Sequence, residues 1–333
     1  MRKTTTVLNL HRRLTWFRLE VFRSRSLGIN LCLSPDRGDR KERTLKMIAI
    51  KQYINLFKLR IGVVITLAAL GGMAITPGQA LTSWQVLVLS LTVMMASAAA
   101  GAFNQYFERD IDAKMTRTKN RPFLNGYFQH SRKWLVIIGV MLAVAVTSAA
   151  FAFNAMTALN IFLGAFTYAI VYTAWLKRRT WLNIVFGGLA GSFAVLAGAA
   201  AVDPSFGPLP LLLALVLFLW TPPHFWSLAI VIREQYAAAG VPMLPVVKGD
   251  KKAARIILGH TILLVLVSIL PVFYGLGGIY LAGALAGGIY FIIKSVQLVR
   301  NPTKETAMAN FVASLVQFSV LMIALMLEVN LGA

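Results

Sequence analysis

From residue 47 onward the chain alternates long apolar runs with short polar breaks. The runs lie near 58–76, 84–103, 134–153, 158–176, 182–202, 209–231, 254–274, 277–294 and 308–329. Most approach the roughly 20 apolar residues a helix needs to cross a bilayer, and they are too long and too evenly apolar for barrel strands. An open sheet is excluded as well, because lipid cannot satisfy its backbone. The pattern predicts an all-α polytopic membrane protein with about nine transmembrane helices in a domain covering 47–333. Residues 1–46 contain no spanning run. They are Arg-rich, contain Ser and hold little acid before Asp36, which fits a targeting presequence, a disordered basic tail, or a start assigned too early with Met47 as the true beginning.

Of the 333 residues, 58% are apolar and 14% charged, against roughly 45–50% and 25% in a soluble domain. The charge is lopsided, 33 Lys and Arg against 12 Asp and Glu, for a net +21. Such an excess suits nucleic acid or an anionic surface, and its distribution decides between them. The extension holds 12 bases and 4 acids, leaving 21 bases and 8 acids in the membrane domain. With the segment before the first span placed in the cytoplasm, all 21 fall at cytoplasmic positions: Lys51–Arg60, Arg109–Lys133, Lys177–Arg179, Arg233–Arg255 and Lys294–Lys304. The opposite loops have none. That is the positive-inside asymmetry of an N-in, C-out protein, with no nucleic acid implied. The one cysteine, Cys32, lies in the extension, so one chain cannot form a disulfide, thiolate zinc site or C-x-x-C-H haem attachment. The absence of G-x-x-x-x-G-K-[ST] argues against an ATP-driven pump. Gly187 and Gly191, like Gly283 and Gly287, have the G-x-x-x-G spacing of close helix packing.

Three of the eight remaining acids lie within five residues, in Asn104-Gln-Tyr-Phe-Glu108-Arg-Asp110-Ile-Asp112. Four residues advance only about 40° around a helix. Asn104, Glu108 and Asp112 therefore share a face if the second span continues, while Asp110 points elsewhere. Clustered hard oxygen ligands suit Mg²⁺, which takes one or two carboxylates together with substrate phosphates and water. Arg117, Lys119 and Arg121 follow directly and suit the remaining phosphate charge. The alternative is a juxtamembrane loop of ordinary ion pairs. The scarcity of acids elsewhere, and the cost of carboxylates at a membrane margin, favour a diphosphate site.

A second group follows the sixth span: Trp220-Thr-Pro222-Pro223-His224-Phe-Trp226, then Arg233-Glu234-Gln235-Tyr236 and Lys248. The paired prolines predict a broken or kinked helix. His224 after that break is either a hydrogen-bonded packing residue or a haem ligand or acid/base group, and packing is the commoner role. Arg233, Glu234 and Lys248 either complete an anion and metal site opposite the first loop or are ordinary loop charges. A third group, Lys177-Arg178-Arg179, follows Tyr168 and Tyr172. It reads as an interfacial stop, or as diphosphate ligands with tyrosine faces that stabilise an allylic cation.

The run Asn104–Pro122, with its N-x-x-x-[DE]-x-D-x-D start and M-x-R-T-x-x-R-P finish, resembles the signature of intramembrane aromatic prenyltransferases of the UbiA superfamily. Tyr172-Thr-Ala-Trp-Leu-Lys-Arg, Asn183-Ile-Val-Phe-Gly-Gly-Leu-Ala-Gly, the Trp220–Trp226 block and Ala238–Val247 are similar to its haem-farnesylating branch, over about residues 50–330. The resemblance implies nine helices around a central cavity open to lipid. It implies Mg²⁺-dependent transfer of farnesyl from farnesyl diphosphate to a haem B vinyl, giving haem O for terminal oxidases directly or as precursor of haem A. Haem A synthase and oxidase assembly factors are then candidate partners, and membrane lipid the medium. On this basis Asn104, Glu108, Asp112, Asp110 and Tyr172 are the candidate catalytic residues, with Glu234 joining Asn104, Glu108 and Asp112 as metal ligands. Arg117, Lys119, Arg121, Lys177, Arg233 and Lys248 are candidates for diphosphate, and His224 and Trp226 for haem. The chain departs from the family at Gln235, where Asp or Glu is common, which puts a second metal site in doubt. The membrane expected is the bacterial inner membrane, or the mitochondrial one in a eukaryote. The rival readings are another aromatic acceptor or a secondary transporter, although a transporter places its charges nearer the bilayer midplane.

Overall fold

The apolar runs fold as helices whose ends lie where the polar breaks begin. The computed structural model describes residues 47–331, and the expectations for residues 1–46 fall outside them. The order is α1 (Met47–Leu56), α2 (Leu59–Ile75), α3 (Ser83–Phe107), α4 (Arg109–Lys114), α5 (Lys133–Ala152) and α6 (Ala155–Phe166). The chain continues from α6 as a π-helix over Thr167–Leu176, then α7 (Asn183–Val202), α8 (Pro208–Val231), α9 (Arg233–Ala238) and α10 (Leu244–Lys248). It ends with α11 (Asp250–Ile269), which tightens into a 3₁₀ turn over Leu270–Tyr274, α12 (Gly278–Arg300) and α13 (Lys304–Leu331). Among the described residues eight helices are long and apolar enough to span alone, and α1 with α2, bent by 52°, makes a ninth. The chain is thus a multi-pass integral membrane protein.

Local chemistry sets the boundaries. Thr82 and Gln85 form a reciprocal capping box at the start of α3, which satisfies donors the first helical turn leaves free. Asn154 caps α6 by accepting the Thr157 N–H at 2.9 Å. The bend between α1 and α2 turns on Lys58, whose φ of 48° and ψ of 39° are left-handed. At the bend the carbonyls of Asn55 and Leu56 accept from the Gln105 amide at 2.5 and 3.2 Å. α3 thus holds the bend that delivers Lys58.

Small residues bring helices into backbone contact. A Cβ added to Gly72 would strike the Val195 carbonyl, and one added to Gly198 the Ala69 carbonyl, so α2 and α7 touch at both positions. Gly283 and Gly287 face Ala324 and Gln317, giving α12 and α13 the close packing their spacing predicts. A buried hydrogen-bond chain then crosses four helices. Asn310 of α13 donates to Ser227 of α8 and accepts from Ser295 of α12, both at 2.9 Å, and Thr261 of α11 lies 3.1 Å from Ser295. Each such bond contributes roughly 0.6 kcal/mol in a membrane protein.

The proline pair corrects one half of an expectation, the break. Pro222 and Pro223 lie inside a continuous α8, and the interruption comes at Ile232, with φ −114° and ψ 30°. The missing N–H groups free carbonyls, but α8 is packed on α7, α11 and α13, and that packing maintains the helix, as prolines in spans permit.

Candidate active site

α3 ends at Phe107, bends at Glu108 (φ −94°, ψ 19°) and restarts as α4. The bend leaves the ladder in register, because Glu108 N–H donates to Asn104 O at 3.0 Å and Asp112 N–H to Glu108 O at 2.8 Å. Asn104, Glu108 and Asp112 consequently share one face and are only 2%, 1% and 3% exposed. Asp110 points away, as the spacing predicts. It is gripped by two bonds from Arg178 at 2.7 Å, which hold its carboxyl below the ordinary range. Burial pushes the Asp112 carboxyl up, against the opposing pull of Arg121.

Each side chain on the buried face meets a cation. Lys177 Nζ lies 2.6 Å from Glu108 Oε2, and Arg121 pairs with Asp112. Lys58 Nζ donates to Asn104 Oδ1 at 2.5 Å and to the Tyr168 hydroxyl at 3.1 Å. The Asn104 amide in turn donates to Thr173 Oγ1 at 2.9 Å.

The π-helix explains how Lys177 arrives there. Residues five apart stand about 140° apart on an α-helix, which would turn Lys177 away from Tyr172. In the wide turn Lys177 N–H instead bonds Tyr172 O at 2.9 Å, an i to i−5 step that stacks such residues on one side. Lys177 Nζ then lies 5.4 Å from the centre of the Tyr172 ring. Gly187 leaves room for that ring, since a Cβ there would lie 3.0 Å from Tyr172 Cδ2.

The other expected residues divide. Arg117 and Lys119 are exposed on the loop after α4. Gln235 Oε1 accepts the Arg117 backbone N–H at 3.3 Å, which ties the second loop to the first. Arg233 bonds Asp250 at 2.9 Å, and Lys248 is exposed at the end of α10. The Glu234 side chain, 74% exposed, turns toward Lys304 at 3.2 Å and does not join the Asn104 face. His224 takes a packing arrangement: Nδ1 lies 2.7 Å from Ser314 Oγ, and the ring is stacked between Trp220 and Phe311 at 4.2 and 4.5 Å. Trp226 is fully buried, edge-on to His260, and in this arrangement offers no surface to a ligand. Lys58 and Thr173 are the residues the sequence reading missed as site groups. By sequence Lys58 only marks the basic side, a cation at the very edge of an apolar run.

The donor set fits Mg²⁺. Glu108 Oε1 is buried without a hydrogen-bond partner, an open hard-oxygen site beside Asp112 and Asn104. Among the described residues no three His, Cys, Asp or Glu side chains form a metal cluster alone. A bound cation therefore needs oxygen from substrate or water, which is the usual habit of Mg²⁺.

Comparison with known proteins gives a consistent picture. The UbiA prenyltransferase family profile matches residues 63–321. Protoheme IX farnesyltransferase 2 of Paramagnetospirillum magneticum is 55% identical, covering 84% of this chain and 97% of its own. Protoheme IX farnesyltransferase 1 of the same organism is 46% identical over 83% and 98%. The solved structure of a digeranylgeranylglyceryl phosphate synthase aligns with a TM-score of 0.71 at 19% identity, over 84% of this chain and 98% of that one. A UbiA homolog from Archaeoglobus fulgidus, bound to DMAPP and Mg²⁺, aligns with a TM-score of 0.62 at 16% identity, over 81% and 99%.

Proposed function

The chain belongs to the UbiA prenyltransferase family, and on that premise we propose that it transfers farnesyl from farnesyl diphosphate to a vinyl group of haem B, forming haem O. The relatives named for protoheme IX support this acceptor. The observation that carries the reaction class is the buried Asn104, Glu108 and Asp112 face opposed by Lys58, Lys177 and Arg121.

Asn104, Glu108 and Asp112 would hold Mg²⁺, which supplies Lewis-acid charge to the departing diphosphate. Lys177 and Arg121 turn from their carboxylates to the phosphate oxygens, with Arg117 and Lys119 at the rim, and stabilise charge where it develops. The donor C–O bond breaks with its electron pair leaving on diphosphate. The Tyr172 ring, already facing a cation at 5.4 Å, stabilises the allylic carbocation. The vinyl π pair then forms the new C–C bond, and water adds to the resulting carbocation beside the porphyrin and loses a proton. Surrounding the first cation with apolar helices delays its capture by water. In this reading the basic ends of the spans are cytoplasmic, the topology is N-in and C-out in the bacterial inner membrane, and haem O passes to oxidase assembly or to a haem A synthase.

The test is incubation of the purified chain with haem B, farnesyl diphosphate and Mg²⁺, followed by mass analysis of extracted haems. The expected product has gained a farnesyl group and a hydroxyl group. Absence of haem O where an established synthase makes it would overturn the acceptor. Glu108→Gln and Asp112→Asn should each lower turnover at least about 100-fold, the scale of lost electrostatic stabilisation, with membrane insertion unchanged. Near-normal rates in both would remove the metal assignment.

A further inference from the structure

Two grooves flank α3 outside the Asn104 face. One is a crevice of about 130 Å³ between α3, α5 and α6, lined only by apolar side chains that include Ala100, Phe103, Ile138, Leu142, Phe166 and Ile170. The other, about 450 Å³, lies at the basic end of α3, where Tyr106, Phe107, Arg109, Asp110 and Ala113 of α3 and α4 and His130 of the following loop line it. They are linked along α3 by Phe103 and Phe107, whose rings stack at 5.7 Å. Crevice and mouth thus lie in line along one spanning helix, the crevice lined by apolar side chains and the mouth by polar and charged ones.

The mouth has a specific electrostatic feature. Arg109 Nε is buried and has no hydrogen-bond partner, and a desolvated donor left unmatched is unfavourable. Asp110 does not supply the acceptor, because both its oxygens are held by Arg178, whose guanidinium lies over the Phe107 ring at 5.6 Å. With that pair neutralised, Arg109 leaves the mouth one positive charge.

We propose that these two grooves together seat one anionic phospholipid on the α3 surface, its phosphate at Arg109 and part of one acyl chain in the crevice. A single positive charge matches a phosphodiester better than the more highly charged diphosphate of a prenyl donor, whose cations lie on the Asn104 face of α3. The lipid would brace α3 against α5 and α6 directly behind the turn that carries Glu108.

The full chain, reconstituted in nanodiscs of equimolar phosphatidylcholine and phosphatidylglycerol, is released into mild detergent and its retained lipid counted by native mass spectrometry. The wild type should keep one phosphatidylglycerol per chain, favoured about fivefold or more over phosphatidylcholine, the scale of one cation facing an anionic headgroup. Arg109→Gln should lose that preference, whereas Arg255→Gln, at an exposed cation of α11, should keep it. Equal retention of the two lipids by the wild type would overturn the proposal without recourse to any variant. So would a preference surviving in Arg109→Gln, a loss equal in Arg255→Gln, which would mark diffuse surface attraction, or displacement of the lipid by farnesyl diphosphate.

Discussion

Lys177 and Arg178 are neighbours in sequence, and each holds a carboxylate, but in different media. The Lys177 and Glu108 side chains are 11% and 1% exposed, while those of Arg178 and Asp110 are 39% and 59% exposed. Removing one partner of a buried pair strands a charge at a cost of about 3–5 kcal/mol, whereas an exposed pair contributes about 0–1 kcal/mol. Lys177→Gln should therefore lower kcat/KM for the prenyl diphosphate by at least about 100-fold, and Arg178→Gln by less than about fivefold. Steady-state rates at saturating haem check this, and the reverse order would contradict the site. The Asn104, Glu108 and Asp112 face was legible because its spacing depends only on helix geometry. Lys58 was not, because its approach to Asn104 depends on the bend at residues 57–58. That bend is held by Gln105 and cleared by Gly101, whose added Cβ would lie 3.3 Å from the Phe57 carbonyl. The place of Lys58 at the edge of an apolar run marks a cation at the interface, but nothing local tells which groups of another helix it meets.

At the scale of elements, the spans were readable from length and apolarity, and the π-helix was not. Thr167–Leu176 is apolar nearly all round, so a period of 3.6 and a wider one leave the same pattern. At Pro222 and Pro223 the local rule predicts a break or a kink, and packing on three neighbours overrides the break. The π geometry makes an asymmetric prediction. Deleting Ala174 brings Tyr172 and Lys177 to a spacing of four, which an ordinary helix keeps within about 40°, whereas inserting an alanine after Ala174 gives six, about 120° out of line. Haem O formation should persist measurably in the deletion and vanish in the insertion, and equal losses with unchanged helical circular dichroism would refute the positioning role of the wide turn. The contact between α2 and α7 makes a second. Gly72→Ala and Gly198→Ala each force Cβ against backbone and should destabilise by about 1–3 kcal/mol, as overpacking does. Gly259→Ala, with nothing within 4 Å, should leave thermal stability in detergent unchanged or raise it.

For the whole molecule, the asymmetry of charge is the feature that joins fold to chemistry. Bases gather at alternate helix connections, including those between α3 and α5, α6 and α7, and α8 and α11, and the cations of the site belong to the same set. On the proposed function, the charge expected to orient insertion also supplies the groups that would face a diphosphate, which makes topology and catalytic side one property. The gathering of bases at alternate connections was legible in the sequence because it is a count over loops and needs no contact to be known. It also makes the orientation testable without turnover. In a Cys32→Ser background, which removes the one native thiol, cysteines are introduced singly as Ser205→Cys, between α7 and α8, and Lys252→Cys, near the start of α11. Both positions are exposed. An impermeant maleimide applied to intact cells should label the Ser205→Cys variant, and the Lys252→Cys variant only after the membrane is opened. Labelling of Lys252→Cys from outside would place Glu108, Lys177 and their neighbours on the far side of the bilayer, where the positive-inside rule does not put them.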